Sequence, residues 1–529
     1  MLLSGDEAVA LAALHAGVNL ARAYPGTPST EILETFSALG GQAQWSPNEK
    51  VAFEVAVGAA FAKGSRTLVT MKHVGVNVAA DPLFTAIYTG VAGGMVLVSA
   101  DDPGMASSQN EQDNRRYATA SGIPMLEPSD SQEAYDFALQ AYEVSERWGI
   151  PVMLRMTTRV CHSRSIVQHK GQQRQRIQPQ FERDRRSRVM IPAYARPAHR
   201  RLRAKHAEMA AWNEASALNL RIDGDKSLGI ITAGVSYVHA REAAPNASFL
   251  KLAMTHPLPM ELIRTFAASV DRCVVIEEND PYMVDAIRAA GIPVEGKQEM
   301  YRFDELNVAR VRRILANDVS PEFAPPPGKP PQLCLGCPHR TVMSILHRHD
   351  CIVSGDIGCY TLSVLPPIEA HDTCVCMGAS IGVGLGLRHV LPPEEAKRVV
   401  SVIGDSTCVH SGITGMVEMV YNPPTTGHLL IILDNGTTAM TGLQEHPGTG
   451  RTLAHKATGR VVLEDVARAI GIPNVHVVNP MDNVSAFDKL VVDSLESGEL
   501  VVIIARKPCA LAANKLEEWA KTAAAEHAK

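Results

Sequence analysis

Long hydrophobic runs are missing from this chain. No apolar stretch reaches the roughly 18 residues needed to cross a bilayer, and Met1-Leu2-Leu3 leads straight into the polar Ser4-Gly5-Asp6-Glu7 rather than an apolar leader. Neither a membrane span nor a signal peptide is therefore expected, and the expected compartment is the cytoplasm. A dominant charge is also lacking: 51 Lys and Arg stand against 56 Asp and Glu, a formal net charge of −5. Bulk electrostatics thus gives no support to a nucleic-acid partner. Cysteine is sparse, 10 in 529 residues, far too few for a disulfide framework in so long a chain. In a reducing compartment, closely spaced cysteines more often hold metal.

What is present is an ordinary soluble composition, 46% hydrophobic, 20% charged and 5% aromatic. A chain of this length exceeds a single core and implies about three or four domains. Strand and helix patterns alternate with hydrophobic strands, which predicts α/β architecture with doubly wound parallel sheets. The blocks run 1–160, a basic connecting segment 161–222, a smaller α/β block 223–320, a Pro-rich linker 321–333, a block 334–512, and a C-terminal helix or tail 513–529. The basic stretch Arg164 to Lys205 reads as a solvated linker or subunit-contact arm, or alternatively as a patch for an anionic ligand or partner.

Two strand ends in the last block carry chemistry. Gly404-Asp405-Ser406 follows one apolar run, and Leu433-Asp434-Asn435-Gly436-Thr437 closes another. Open parallel sheets bind ligands at strand C-termini, and a cation-bridged diphosphate needs hard oxygen ligands there. The pair looks like a thiamine diphosphate site, with Mg²⁺ on the Asp405 carboxylate, the Asn435 side-chain oxygen and the Thr437 carbonyl. Gly404, Asp405, Ser406, Asn435 and Thr437 would line the diphosphate. Many thiamine enzymes have Gly at the third position of the first motif, where this chain has Ser406. Such enzymes also need a carboxylate beside the aminopyrimidine to promote deprotonation of C2. The first block offers Glu49 and Glu54; Glu49 is taken as catalytic and Glu54 as structural.

Cys334-Leu-Gly-Cys337, then Cys359 and Cys509, supply four thiolates in turn-like settings, which suits either Zn²⁺ or a [4Fe–4S] cluster. Cys359 is expected in a loop. Cys161, Cys273 and Cys351 read as buried inert hydrophobes; so do Cys408, Cys374 and Cys376, although Cys374-Val-Cys376 is an alternative ligand source. Oxidative chemistry on a thiamine site favours the redox-active cluster, since zinc accepts no electrons.

Ala23-Tyr-Pro-Gly-Thr-Pro-Ser-Thr-Glu31, Asn48-Glu-Lys50, Val69-Thr-Met-Lys-His-Val-Gly75, Cys334-Leu-Gly-Cys-Pro-His-Arg340, Gly404-Asp-Ser406, His410-Ser-Gly-Ile-Thr414 and Asp434-Asn-Gly-Thr-Thr-Ala-Met-Thr-Gly442 together resemble the large subunits of indolepyruvate ferredoxin oxidoreductases. The resemblance spans nearly the whole chain. It implies a pyrimidine-binding thiamine domain over 1–160, a transketolase C-terminal-like domain over 223–320, and a diphosphate-binding domain with the cluster cysteines over 334–512. It implies Glu49 as the pyrimidine carboxylate, Thr27 in the turn beside cofactor and substrate, and Lys72 and His73 at a strand end facing the thiazolium. Cys334, Cys337, Cys359 and Cys509 match the ligands of one [4Fe–4S] cluster.

The implied reaction is oxidative decarboxylation of an aromatic 2-oxo acid with coenzyme A to an aryl-acetyl-CoA and carbon dioxide. The implied assembly is α2β2 with a small β subunit carrying the coenzyme A site. Relatives of this type commonly continue into a ferredoxin-like module; no cysteine follows Cys509 here. Electrons are therefore expected to leave for a ferredoxin or another external acceptor. The rival expectations are a non-oxidative aryl-pyruvate decarboxylase or carboligase, which needs no cluster, and a non-catalytic electron-transfer or scaffold subunit.

Overall fold

The computed structural model describes residues 1–169, 171, 174–175, 177–322 and 331–527, and contacts divide the chain into two units, Met1–Phe323 and Ala324–Lys529. Residues 323–330, which hold most of the prolines of the expected linker, lie outside the described residues. No helix among the described residues is long and apolar enough to cross a membrane.

The first unit opens as its acidic first turn predicts. The Ser4 hydroxyl accepts from the Glu7 amide and the Glu7 carboxylate accepts from the Ser4 amide, so helix Gly5–His15 starts on a reciprocal cap. A seven-stranded sheet follows, in the order Met254–His256, Met125–Leu126, Val152–Thr157, Gly94–Asp101, Arg66–Lys72, Leu20–Ala23, Ala43–Trp45. All its neighbours pair in parallel except the first pair. The two central strands Arg66–Lys72 and Gly94–Asp101 are buried at every residue, which is why they read as continuous apolar runs without alternation. A second sheet of four strands, Leu220–Ile222, Ala247–Leu252, Asp225–Ala233 and Cys273–Ile276, is parallel apart from its first strand.

Charge, not only apolar packing, ties this unit together. Arg155 donates to Asp101 at 2.7 Å, Glu127 at 2.5 Å and Asn279 at 2.8 Å, while Arg115 holds Asp113 and Glu277, each at 2.6 Å. Both guanidinium groups are almost wholly buried. Such charges persist in the interior only because each is paired and hydrogen-bonded. The basic stretch contributes a 23-residue helix, Pro192–Glu214, with Pro at its start and Ala, Arg and Leu through its body. Just before it, Arg188 donates to the carbonyls of Thr89 and Gly90.

The second unit is built on a five-stranded, wholly parallel sheet: Ile352–Ser354, Val399–Gly404, His428–Asp434, Leu500–Arg506, Asn474–Val478. Cores lie on both faces. Leu429, Ile431, Val501 and Ile503 fill one; Leu430, Ile432, Val502 and Ile504 fill the other. The fold is α/β with doubly wound parallel sheets.

Candidate active site

In the first unit the predicted residues collect at the C-terminal ends of two paired strands, Leu20–Ala23 and Arg66–Lys72. The turn after the first is held by Gly26, whose amide donates to Thr30 Oγ1 at 3.0 Å and whose carbonyl accepts from Ser29 Oγ at 3.0 Å. Thr27 is half-buried within it. A Cβ on Gly26 would stand 3.2 Å from Lys72 Cβ, so the two strand ends approach closely here. Glu49 is the first residue of helix Glu49–Ala60, capped by Asn48, whose side chain accepts from the Val51 amide at 2.9 Å. It is 5% exposed, whereas Glu54 lies on the surface paired with Lys50. The carboxylate of Glu49 occupies the space that a side chain at position 75 would need: a Cβ there would meet Cγ at 2.7 Å and Oε1 at 2.8 Å.

Lys72 and His73 face a loop. Lys72 Nζ donates to the Ser107 carbonyl at 2.6 Å, and burial lowers its pKa against the pull of Asp102. His73 Nε2 lies 3.1 Å from the Asn110 carbonyl, and the His73 carbonyl accepts from Gln112 at 3.0 Å and Asn114 at 3.1 Å. Burial lowers the His73 pKa, with Asp101 opposing. In the neutral ring that hydrogen bond puts the proton on Nε2, and Nδ1, which is buried without a partner, remains an acceptor.

In the second unit Gly404 and Leu433 are paired across two parallel strands, so the motifs that follow them adjoin. Asp405 accepts from the Ser406 amide on Oδ1 and from the Gly436 amide on Oδ2, both at 2.8 Å, and His446 Nε2 stands 3.2 Å from Oδ2. Burial would raise its pKa, but His446 and the two amides outweigh burial, so the carboxyl is held below its ordinary range. Asn435 Oδ1 accepts from the Thr437 amide at 3.1 Å, and its Nδ2 lies 3.3 Å from His339 Nε2. Burial pushes His339 down to about 4, so the ring is neutral and can accept. Ser406 and Thr437 are buried beside them. This donor set of carboxylate, amide oxygen and backbone carbonyls is all hard oxygen, which fits Mg²⁺.

Cys334, Cys337, Cys359 and Cys509 line one cavity of about 100 Å³, together with His339 and Asn435. Cys359 opens a short 3₁₀ turn, Cys359–Val364, rather than lying in a loop. Burial raises its pKa to about 11, and the other three thiols add to the rise. Among the described residues, no three of these sulfur atoms lie within 4.8 Å of one another. Cys374 and Cys376 do not line this cavity, and both are exposed, which corrects the expectation that they are buried. Cys351 is half-buried, while Cys161, Cys273 and Cys408 are buried as expected.

Residues 11–218 match the family model described as pyruvate flavodoxin/ferredoxin oxidoreductase, thiamine diphosphate-binding, and residues 356–505 match the C-terminal thiamine pyrophosphate-binding domain of thiamine pyrophosphate enzymes. The indolepyruvate oxidoreductase subunit IorA of Archaeoglobus fulgidus is 42% identical, over 97% of this chain and 86% of its own length. The chain belongs to the IorA family of indolepyruvate oxidoreductase subunits. The IorA subunit of Methanothermobacter thermautotrophicus is 40% identical over 97% of this chain and 87% of its own. Among solved structures, 2-oxoglutarate:ferredoxin oxidoreductase from Magnetococcus marinus, with 2-oxoglutarate, coenzyme A and succinyl-CoA bound, matches with a TM-score of 0.50 at 15% identity, over 60% of this chain and 65% of that one. That likeness speaks to fold alone. As an IorA-family member the chain is part of a thiamine-dependent 2-oxoacid oxidoreductase.

Sequence reasoning missed three groups at the site of this IorA-family chain. His339 was legible only as the residue after Cys337-Pro338, His446 lies in a long irregular stretch with no motif, and Tyr360 follows Cys359. The Tyr360 hydroxyl accepts from the Gly404 amide at 2.9 Å, which joins the cysteine-bearing turn to the strand end. Asp356, two residues before Gly358, is buried and accepts from the amides of Gly378 and Ser380 at the start of helix Ala379–Val390.

Proposed function

We propose that the chain catalyses thiamine diphosphate- and Mg²⁺-dependent oxidative decarboxylation of an aromatic 2-oxo acid, of the indolepyruvate or phenylpyruvate type, to an aryl-acetyl-CoA and carbon dioxide. When bound, thiamine diphosphate supplies the nucleophilic carbon and the electron sink. Asp405, Asn435 and the Thr437 carbonyl would hold Mg²⁺, and Gly404 and Ser406 would lie against the diphosphate. His446 steadies Asp405 in its ionised form, and His339 orients the Asn435 amide by accepting from Nδ2. Glu49 would meet the pyrimidine nitrogen and tune its protonation. Thr27, Lys72 and His73 border the substrate; Lys72 offers a cation to its carboxylate and His73 Nδ1 a buried acceptor.

The observation that carries the oxidative reading is the cysteine cavity. Four thiols surround one space that also touches Asn435, and the Cys509 amide donates to the Asn435 carbonyl at 3.0 Å. Four thiolates suit Zn²⁺ or a [4Fe–4S] cluster, and only the cluster accepts electrons, so the oxidative reading takes the cluster. Electrons then leave to ferredoxin or another external acceptor, and a small β subunit in an α2β2 assembly brings coenzyme A.

The test is anaerobic purification of the chain with its small partner subunit, followed by iron and acid-labile sulfide analysis. Several aryl pyruvates are then assayed with coenzyme A and a viologen dye. Four irons per chain and dye reduction dependent on both aryl pyruvate and coenzyme A are expected. An iron-free preparation that still decarboxylates would refute the oxidative reading in favour of a decarboxylase or carboligase.

A further inference from the structure

Beside the Thr27 turn, three helix ends meet around a buried carboxylate that no nitrogen or oxygen donor reaches. Asp6 lies in the first turn of helix Gly5–His15, Glu31 in the first turn of helix Thr30–Ala38, and His162 closes helix Thr158–His162. One ligand atom from each lies within 4.8 Å of the other two, and His162 Nε2 stands 4.0 Å from Glu31 Oε2. Asp6 is wholly buried, and no nitrogen or oxygen donor reaches either of its oxygens. The buried Cys161 thiol adjoins it and is at most a weak donor. Buried polar groups are nearly always satisfied, and an orphan calls for an explanation such as an ion.

We propose that Asp6, Glu31 and His162 bind a divalent first-row transition cation of the Zn²⁺ type. Two carboxylate oxygens and one imidazole nitrogen are the ligand types such ions accept, whereas Mg²⁺ and Ca²⁺ seek oxygen alone. The exposed faces of Glu31 and His162 leave the remaining coordination position to water. The alternative that keeps Asp6 in place is a proton: burial first, and then Glu31, raise its pKa well above the carboxylate range. A bound cation replaces that proton and relieves the repulsion between the two acids. Because Glu31 follows Thr27 by a single turn of chain, the ion would fasten that turn to the first helix, a structural role independent of the diphosphate and cysteine sites.

The experiment uses the full chain, stripped of metal by chelator, titrated with Zn²⁺ by calorimetry and followed by thermal melting. The comparison is wild type against Asp6→Asn, Glu31→Gln and His162→Gln. Metal-free cysteine thiolates also bind Zn²⁺, so the expected result is a difference: each variant loses one equivalent, or binds that equivalent at least tenfold more weakly, and loses the corresponding rise in melting temperature. Asp6→Asn is isosteric and His162 is exposed, so both variants are expected to fold. Unchanged stoichiometry and affinity in His162→Gln would overturn the proposal. So would an Asp6→Asn chain that melts higher than wild type with every equivalent retained, which would mark Asp6 as a merely protonated acid.

Discussion

Gly75→Ala is the sharpest probe of Glu49, because the structure states what the added methyl would strike. It would stand 2.7 Å from Glu49 Cγ and 2.8 Å from Oε1. Ordinary contact begins near 3.4 Å, so the carboxylate must retreat by about 0.7 Å. The obstacle is the far end of a flexible side chain rather than backbone, so the cost to the fold should sit at the low end of overpacking, about 1 kcal/mol. The cost to function should be larger. A misplacement approaching 1 Å at a reacting group is worth on the order of 10²-fold in rate, about 2.7 kcal/mol. Glu49→Gln, which removes the general-base contribution itself, should cost about 10²–10⁴-fold. The decisive assay is the double-mutant cycle on kcat, with thermal melting as a check on folding. If Gly75→Ala acts through Glu49, it should add almost nothing in the Glu49→Gln background. Full additivity would refute the argument, as would a Gly75→Ala enzyme with wild-type kcat.

Three further outcomes are expected. Cys509→Ser should lower bound iron and acid-labile sulfide sharply, while Cys374→Ser should leave both unchanged; the reverse pattern would reassign the ligand set. His428 is buried against Ser401 Oγ at 2.8 Å, and burial, then Arg388, push its pKa down to about 3. Its folded pKa lies below the unfolded value near 6.5, so its contribution to stability is present above pH 6.5 and is lost as pH falls toward 3, at about 1.4 kcal/mol per pH unit. Urea midpoints taken from pH 6.5 to 5 should show this slope reduced in His428→Asn, and an unchanged slope would contradict the assignment. Arg155→Ala should cost about 3–5 kcal/mol in the denaturation of the first unit, because Asp101 and Glu127 are left buried without their partner; a loss below 1 kcal/mol would show that the network is relaxed by water.

Much of this was legible in the chain, for identifiable reasons. Val399–Gly404 and His428–Asp434 are buried at every residue, so their apolar runs announced parallel central strands, and the polar residues after each run had to lie at a strand end. Glu49 could be preferred over Glu54 because it precedes Gly58-Ala59 by nine residues, the spacing of the 2-oxoacid:ferredoxin oxidoreductases it resembles. What was not legible depends on distant contacts. Nothing local marks His446 as the neighbour of Asp405, and the Arg155 network joins residues 101, 127 and 279. The basic stretch displayed its charge and concealed its helix, because Pro197 sits inside Pro192–Glu214 and argues locally against helix there. Lys72 and His73 were expected to face the cofactor, yet each is also anchored to a carbonyl of the Ser107–Asn110 loop, a partner no motif announces.

The cysteine and diphosphate motifs appeared as separate signals some seventy residues apart, yet one sheet register positions both. Asp434 pairs with Arg506 at the end of the parallel ladder, and the pattern then continues past the strands: the Lys507 amide donates to the Asp434 carbonyl at 2.9 Å, and the Cys509 amide to the Asn435 carbonyl at 3.0 Å. Arg506 clamps the junction, its Nε on Asp434 at 2.6 Å and its other nitrogens on Glu464 at 2.7 and 3.0 Å. A strand offers side chains alternately to its two faces, so a slip of one residue would carry the set to the wrong side. It would displace Cys509 from its cavity and separate it from Asn435 in the same movement. Cys509 and Asn435 are thus placed by a shared backbone, so the distance between the proposed cluster on the cysteines and the proposed diphosphate on the turn would be set by the rigidity of the sheet rather than by either ligand.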